Sequence, residues 1–288
     1  DQDELYTGIQ QVDWYEHIPD KTTISVGAST DSQSELDHSQ FVALKTKDAI
    51  VDQLRDLMGH RPDIDTEQAD VRIAINIRNN EVTASIDLSG ESLHRRGYRQ
   101  MVGKAPLKET VAAAILERSG WRDLAKEGAP LVDPMSGSGT FCIEAASIAT
   151  DLAPGLNREY YGFLKWAGHD KKAWNSLIAE ANERHRIGRE NELQIFGFDE
   201  SRQTIHAARQ NALRAGLDEF IQFIQVPFQN LKNPLPEGKP GLVVVNPPWG
   251  ERLGTEQSLR TTYVELGKRL KTEFGHWKAT IITSNDNL

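Results

Sequence analysis

A buried strand that runs into two prolines constrains the fold of this chain more than any other feature. The apolar residues 242–245 indicate a strand covered on both faces, as in a parallel sheet. Pro247 and Pro248 lack N–H donors and have a fixed φ, so the chain must leave the sheet at its carboxyl edge, where open α/β sheets bind ligands. Asn246 and Trp249 supply an amide and an aromatic face, which suit a flat ring that carries an amine. The alternative is an ordinary strand terminator that binds nothing.

A second segment, residues 130–140, predicts a strand, a tight loop and the start of a helix. Gly137 and Gly139 allow the backbone to pass close to a ligand. A lone Gly-x-Gly is a weak signal, because Cys142 stands where a dinucleotide site has its third glycine and no lysine completes a Walker loop. The distinguishing residue is Asp133, whose carboxylate would repel a pyrophosphate but attract an ammonium or sulfonium group. The segment therefore favours a cofactor that carries an amino acid.

A third segment, residues 194–200, predicts a short apolar strand that ends in two acids. In nucleotide-binding α/β folds an acid at the end of the second strand accepts hydrogen bonds from ribose hydroxyls. Asp199 is the better placed of the two, and Glu200 is second. The alternative is a helix cap, in which Asp199 or Ser201 caps the helix that follows.

In this order, the three segments resemble the motifs of class I S-adenosylmethionine-dependent methyltransferases. Residues 133–140 resemble motif I, Asp199 resembles the ribose-binding acid, and residues 246–249 resemble motif IV of the amino-methyltransferases. The resemblance implies that the cofactor is S-adenosylmethionine. The cofactor-binding residues that it implies are Asp133, Pro134, Met135, Ser136, Gly137, Ser138, Gly139, Thr140, Asp199 and Glu200.

More narrowly, residues 88–99, 105–110 and 246–254 resemble the THUMP-containing RNA guanine-N2 methyltransferases. The resemblance implies methyl transfer to the exocyclic N2 of a guanine in large-subunit (23S) rRNA, so ribosomal RNA is the expected partner. It also implies an α/β fold, with a Rossmann-like class I methyltransferase sheet preceded by a partial THUMP α/β domain that binds RNA. The THUMP part lacks its expected beginning and the methyltransferase sheet its last strands, so we expect a fragment of a longer protein.

The resemblance makes Asn246, Pro247, Pro248 and Trp249 the predicted catalytic residues. Guanine N2 is a poor nucleophile, because its lone pair is delocalised into the ring. The Asn246 side chain and the Pro247 carbonyl would accept its two N–H bonds and localise that lone pair. Trp249 would stack on the base. A base inside a duplex cannot reach such a pocket, so the target must be unpaired or flipped out.

The predicted adenine end of the cofactor site departs from the family pattern. The family commonly places an aspartate after the third strand, where it contacts the adenine amine, whereas this chain has residues 226–229 in that region. We expect Phe228 to stack on adenine and Gln229 to hydrogen-bond it.

The charge distribution locates a candidate RNA contact. The formal net charge is −9, which argues against indiscriminate binding of nucleic acid. Residues 1–90 carry 7 Lys/Arg against 18 Asp/Glu, whereas residues 91–126 carry 8 against 4. Phosphate contacts are therefore expected in the second stretch, and an ordinary solvated linker is the alternative. The predicted RNA-binding residues are Arg95, Arg96, Arg99, Lys104 and Lys108.

Several classes of protein do not fit the composition. The single cysteine, Cys142, cannot form an internal disulfide and suits a reducing compartment, so a cytoplasmic protein is expected. The eight histidines and this cysteine lack the spacing of metal ligands, so no metal is predicted. No apolar run approaches the roughly 20 residues of a membrane-spanning helix, so no membrane partner is predicted.

The resemblance, together with the predicted elements, implies three parts: a THUMP-like domain at 1–95, a basic linker at 96–110 and a methyltransferase domain at 111–288. In the first part, residues 40–58 predict a helix, and residues 71–77 alternate as a half-buried strand that turns at Asn79-Asn80 into a hairpin. In the third, strands alternate with helices, which is typical of a parallel, doubly wound sheet. Tyr160, Tyr161, Phe163 and Trp166 lie in an insertion and either stack on bases or, as we favour, pack onto the core.

Two other classes of function remain open from the sequence. DNA adenine-N6 and protein glutamine-N5 methyltransferases use Asn-Pro-Pro-aromatic on planar NH2 groups by the same logic, so residues 246–249 do not separate them from an RNA enzyme. The THUMP-like part and the Arg-Arg-Gly-Tyr-Arg run at 95–99 favour RNA. A non-catalytic RNA-binding protein is the other alternative, and the complete set of motif residues argues against it.

Overall fold

A computed structural model describes residues 1–99, 107–236, 238–248 and 256–283. The chain forms two compact units. The first unit comprises Asp1–Ser92 and Glu159–Ser176, and the second comprises Leu93–Arg158 and Leu177–Leu288.

The first unit is a four-stranded sheet with its helices packed on one face. The strand order is β2-β1-β3-β4, in which β1 pairs in parallel with β2 and β3, and β4 closes an antiparallel hairpin with β3. Its elements are α1 Gln2–Gln10, β1 Thr23–Thr30, α2 Ser39–Met58, β2 Asp63–Ile64, β3 Val71–Arg78 and β4 Glu81–Ile86.

Local sequence explains these elements, and the predicted helix and hairpin are confirmed. In β3, alternate residues from Val71 to Ile77 are buried, and they join the core that α1 and α2 cover. Asn79 and Asn80 turn the hairpin with φ values of 53° and 63°, which asparagine tolerates better than most residues. Gly59 ends α2 with a φ of 79°, as a left-handed C-terminal cap.

The aromatic insertion belongs to the first unit, although its residues lie within the range predicted for the methyltransferase domain. The Tyr160 hydroxyl donates to the carbonyl of Ala69 at 3.2 Å, and the Trp166 ring stacks on His17 with centroids 6.2 Å apart. Phe163 lies against Tyr161 and Trp174 with centroids 5.2 and 4.9 Å apart. The aromatic rings therefore pack within the first unit. This agrees with the favoured alternative, packing onto a core, although we expected that core to be the one of the methyltransferase domain.

The second unit is a five-stranded parallel sheet in the order β7-β6-β5-β8-β9. Successive strands lie side by side from β5 to β7, and the chain then crosses to the other side of β5 to form β8 and β9. Its elements are α3 Glu109–Arg118, α4 Trp121–Lys126, β5 Leu131–Asp133, α5 Thr140–Ala149, α6 Lys171–Gly188 (which begins in the first unit), β6 Ile195–Asp199, α7 Arg202–Ala215, β7 Ile221–Gln225, β8 Leu242–Val245, α8 Glu256–Glu273 and β9 Lys278–Ile281.

Both faces of this sheet are covered, which explains why its central strands read as continuous apolar runs. Along β8, Leu242 and Val244 join one buried cluster, whereas Val243 joins a second cluster on the other face. The predicted α/β class, with a doubly wound parallel sheet after a smaller α/β unit, is confirmed.

Two features are absent from the described residues. None of the helices in that part of the chain is both long and apolar enough to cross a bilayer. Likewise, the described side chains form no group of three or more His, Cys, Asp or Glu suited to a metal ion.

Candidate active site

Two sequence-distant loops leave the sheet side by side. Strand β5 pairs in parallel with β8, with Leu131 opposite Leu242 and Val132 opposite Val243. Asp133 ends β5, and Asn246 follows the last residue of β8. Because both strands point the same way, both loops emerge at the carboxyl edge, at the place where the strand order reverses. The glycine loop and the Asn-Pro-Pro segment, each predicted to follow a strand, thus converge at one edge of the sheet.

The glycine loop is held to the neighbouring strand by hydrogen bonds that its backbone N–H groups donate. The Ser136 N–H donates to the carbonyl of Phe198 at 2.7 Å, and the Gly137 N–H donates to the Asp199 carboxylate at 3.2 Å. The Gly139 N–H closes the turn onto the carbonyl of Ser136 at 2.8 Å. The loop that follows β5 is therefore fastened to the end of β6, the strand that carries the predicted ribose acid.

Gly139 is required by both its conformation and its surroundings. Its φ is +88°, and a Cβ built there would lie 2.8 Å from the Phe223 ring and 3.2 Å from Ala208. Gly139 also caps the N-terminus of α5, so Thr140 is the first helical residue. Phe223 of β7 and Ala208 of α7 thus lie so close to the loop that only a residue without a side chain fits at this position.

Asp133, the last residue of β5, carries a buried carboxyl and is 1% exposed. Burial raises its pKa to about 8, the nearby charge of Asp199 adds to the rise, and a hydrogen bond from the Met135 N–H at 3.1 Å opposes it. Among the described residues, no cationic side chain lies within ion-pair distance of it. A ligand ammonium would supply the positive charge that the described residues do not provide.

Asp199 is not the cap of the following helix. Ser201 is that cap, and its hydroxyl accepts the Thr204 N–H at 3.3 Å. Asp199 instead accepts the N–H groups of Ser201 at 2.9 Å and Gly137 at 3.2 Å, and it stays half-buried at the sheet edge. This resolves the cap alternative against Asp199. Glu200 is exposed, and its carbonyl accepts from the Gln225 side chain at 3.1 Å.

The segment after β7 returns to the same edge. The Val226 N–H donates to the carbonyl of Asp199 at 3.0 Å, and a single 3-10 turn, Phe228–Asn230, follows. Phe228 is half-buried, whereas Gln229 is exposed and its carbonyl accepts from the Arg269 guanidinium. The adenine-contacting roles of Phe228 and Gln229 stay predictions.

The Asn-Pro-Pro segment presents a partly buried amide beside a buried ring. Asn246 and Pro248 are half-buried and Pro247 is buried. The carbonyl of Val245, just before this segment, accepts the Ile282 N–H at 3.1 Å, so the exit from β8 is anchored to the strand beyond it. Trp249 lies outside the described residues.

The predicted RNA-binding residues divide into two kinds. Arg95 and Lys108 are exposed, whereas the side chains of Arg96 and Arg99 are only 14% and 10% exposed. Arg96 lies 3.7 Å from the Glu144 carboxylate, and Arg99 lies 3.5 Å from that of Glu109. Their charges are thus balanced inside the second unit, while Arg95 and Lys108 remain predicted phosphate contacts. Lys104 lies outside the described residues.

The two buried acids that these arginines face, Glu144 and Glu109, were not predicted from the sequence. Glu144 is 4% exposed and accepts a hydrogen bond from the Tyr98 hydroxyl at 3.0 Å. Burial raises the pKa of Glu144 to about 7, and Arg96 opposes that rise. A signal was available, since Glu144 is the one acid in the otherwise uncharged helix α5. A lone acid on an apolar helix indicates a buried partner.

Comparisons with known proteins agree with this architecture. Residues 96–288 match the family described as RMKL-like, methyltransferase domain, and residues 1–87 match the THUMP domain family. The chain is 45% identical to the ribosomal RNA large subunit methyltransferase K/L of Syntrophotalea carbinolica over 289 residues, which is 100% of the chain and 40% of that protein. The protein of that name from Methylococcus capsulatus is also 45% identical, over 99% of the chain and 38% of its own length.

Solved structures extend the likeness. The crystal structure of SMU.472, complexed with S-adenosylhomocysteine (SAH), matches with a TM-score of 0.87 and 31% identity, over 100% of this chain and 73% of that one. A Listeria monocytogenes protein described as a predicted N6-adenine-specific DNA methylase matches with a TM-score of 0.85 and 33% identity, over 99% of this chain and 72% of that one. The chain spans about 40% of the length of the curated relatives that it matches. By sequence and by fold, it belongs to the family of RMKL-like methyltransferase domains, here preceded by a THUMP domain.

Proposed function

We propose that this chain binds S-adenosylmethionine and directs its methyl group to the exocyclic N2 of a guanine in large-subunit rRNA. The observation that carries the proposal is the pairing of β5 with β8, which brings a buried acid and an Asn-Pro-Pro segment to one edge of the sheet. One loop suits the amino-acid end of the cofactor, and the other suits a planar amine.

The residues of the glycine loop fit this cofactor. Asp133 is a buried carboxyl without a cationic partner among the described residues, and the amino group of the cofactor would provide one. The Ser136 hydroxyl oxygen is buried and has no hydrogen-bond partner, so the loop also has an unused polar atom. Asp199 stands at the end of β6, where ribose hydroxyls are bound in related folds. When bound, the cofactor supplies a methyl group that its sulfonium already activates.

The Asn-Pro-Pro segment fits the receiving amine. The Asn246 side-chain oxygen and the Pro247 carbonyl are two acceptors on a backbone that the prolines hold rigid. Two acceptors on the two N–H bonds of guanine N2 localise its lone pair and aim it along one direction. Most of the rate enhancement then comes from alignment and fixed dipoles, with no covalent intermediate on the protein.

Ribosomal RNA is favoured over DNA or protein by the first unit and by the relatives. Residues 1–87 match the THUMP family, and curated proteins 45% identical to this chain are named for the large ribosomal subunit. The likeness to a protein described as a predicted DNA methylase covers 99% of this chain, the first unit included, so it does not separate the substrates.

The test is methyl transfer by the full-length protein with labelled S-adenosylmethionine, followed by mass spectrometry of the nucleosides. We expect N2-methylguanosine in large-subunit rRNA, lost in Asn246→Ala while the affinity for SAH is retained. Asn175→Ala is a matched control, because Asn175 is exposed on α6 in the first unit. Label found only in DNA or protein would overturn the substrate, and failure to bind SAH would overturn the cofactor.

A further inference from the structure

Arg99 bridges the first residues of two helices. One nitrogen of its guanidinium, Nη2, donates to the Thr140 hydroxyl at 2.7 Å and to the carbonyl of Leu107 at 2.9 Å. Its Nε lies 3.5 Å from the carboxylate of Glu109. Glu109 begins α3 and Thr140 begins α5, directly after the glycine loop. A single buried cation therefore ties the start of α5 to the rest of the second unit.

This arrangement leaves a donor at the loop. Thr140 is buried, and its hydroxyl oxygen accepts from Arg99, so the hydroxyl proton is available to donate elsewhere. No acceptor for that proton is found among the described residues. A hydrogen bond from a charged donor is stronger than a neutral one, so Arg99 holds the hydroxyl in one orientation.

The start of α5 itself favours an anion. The N-terminus of α5 carries the partial positive charge of unpaired N–H groups. Arg99 lies behind it, and the positive charge of its guanidinium is balanced by the Glu109 carboxylate, 3.5 Å from Nε. One end of the loop, at Asp133, thus suits a cation, and the other end, at Thr140, suits an anion.

We propose that Arg99 is a positioning residue for the carboxylate of the cofactor's amino-acid group, acting through the Thr140 hydroxyl and the start of α5. The inference rests on the proposed cofactor. In this arrangement the two charges of the amino acid lie at opposite ends of residues 133–140, with the ammonium at Asp133 and the carboxylate at Thr140. Arg99 then serves the cofactor site and not, as the charge pattern of the sequence predicted, an RNA phosphate.

Two ligands distinguish this role from general damage to the fold. SAH carries the amino acid, whereas 5′-methylthioadenosine has the same nucleoside without it. Calorimetry on the full-length protein should show that Thr140→Val weakens the affinity for SAH by roughly tenfold or more, because one hydrogen bond to a charged group is lost. The affinity for 5′-methylthioadenosine should change less than twofold. Thr140→Ser, which keeps the hydroxyl, should bind both ligands nearly as the unaltered protein does.

Substitution of Arg99 tests the second link. Arg99→Met should weaken the affinity for SAH more than the affinity for 5′-methylthioadenosine. Arg99→Lys should restore part of the lost affinity, because it keeps the positive charge. Arg99→Met leaves Glu109 buried without its cation, so Arg99→Met with Glu109→Gln is included, and thermal unfolding verifies that each variant is folded.

Each outcome decides between defined alternatives. If Thr140→Val weakened the affinity for both ligands equally, or for neither, the positioning role would be overturned. Unchanged SAH affinity with weaker rRNA binding in Arg99→Met would assign Arg99 to RNA phosphates instead. No SAH binding by the unaltered protein would overturn the proposed cofactor itself, which is a separate failure.

Discussion

The buried carboxyl of Asp133 leads to a prediction that couples stability, pH and cofactor binding. Its pKa is raised from 3.8 to about 8, chiefly by burial, and a hydrogen bond from Met135 only partly opposes the rise. Because the folded pKa lies above the unfolded one, the folded protein holds this proton more tightly than the unfolded chain does. The free energy of unfolding therefore falls as pH rises from about 4 to about 8. Above about pH 8 the folded protein bears the full unfavourable free energy of the buried charge.

The size of the effect follows from the two pKa values. A shift of about four pKa units corresponds to about 5 kcal/mol against the ionised form in the folded protein. Asp133→Asn removes the charge, and the amide oxygen can still accept the Met135 N–H. We therefore expect Asp133→Asn to be more stable than the unaltered protein at pH 8, by up to about 5 kcal/mol, and to differ little from it near pH 4.

The same carboxyl should make cofactor binding depend on pH. With a pKa of about 8, roughly 1% of Asp133 is ionised at pH 6 and about half at pH 8. If a bound ammonium brings that pKa below 6, the affinity for SAH rises by up to about 50-fold between pH 6 and pH 8, with release of a proton. Deprotonation of the ligand's own amine works in the opposite direction and cannot produce such a rise.

The assay is calorimetry with SAH at pH 6, 7 and 8, in two buffers of different ionisation enthalpy, alongside urea unfolding at each pH. Asp133→Asn should abolish both the pH slope and the proton release, and 5′-methylthioadenosine should show neither in any variant. A flat affinity profile for the unaltered protein, or a slope that persists in Asp133→Asn, would refute the assignment of Asp133 to the ammonium.

The remaining predictions concern single side chains in both units. Glu144→Gln should gain stability relative to the unaltered protein as pH rises from 5 to 8, by up to about 3 kcal/mol in urea unfolding. The reason is that burial raises the pKa of Glu144 from 4.5 to about 7. A stability difference that does not depend on pH would contradict this. Gly139→Ala should cost about 2 to 4 kcal/mol in the same assay, since its Cβ meets Phe223, whereas Gly137→Ala, with φ +52° and open space, should cost about 1 kcal/mol; equal costs would remove the packing argument. Gly162→Ala places a Cβ 2.1 Å from the Asp87 carbonyl and should make residues 159–176 susceptible to limited proteolysis, whereas Gly8→Ala, with nothing within 4 Å, should not.

Features that depend on local chemistry could be predicted from the sequence. The hairpin at Asn79-Asn80 follows from two residues that tolerate positive φ, and the end of α2 follows from Gly59. The placement of Asp133 beside the Asn-Pro-Pro loop follows from strand direction, because parallel strands deliver their carboxyl ends to one edge. These inferences need only the period of the apolar residues and the conformational limits of glycine, asparagine and proline.

Features that depend on partners distant in sequence could not be predicted in the same way. The aromatic insertion joins the first unit because Gly162 lets its backbone lie against Asp87, and nothing near residue 162 in the sequence indicates that neighbour. Arg96 and Arg99 looked like surface charge, yet Glu144 and Glu109 balance them in the interior. Charge counts along a sequence do not distinguish an exposed arginine from one that is paired and buried.

The burial of these arginines bears on how an acidic chain approaches RNA. With Arg96 and Arg99 committed to internal acids, the stretch 91–126 offers less free positive charge than its composition indicates, and residues 1–90 carry 18 acids against 7 bases. Affinity for RNA that depended on bulk charge would therefore be weak, and the salt dependence of binding would reflect only a few phosphate contacts. Recognition would then rest on exposed cations such as Lys108 and on the shape of the target. Consequently, substitution of Lys108 should reduce the salt slope of rRNA binding, whereas substitution of Arg96 should alter stability and leave that slope unchanged.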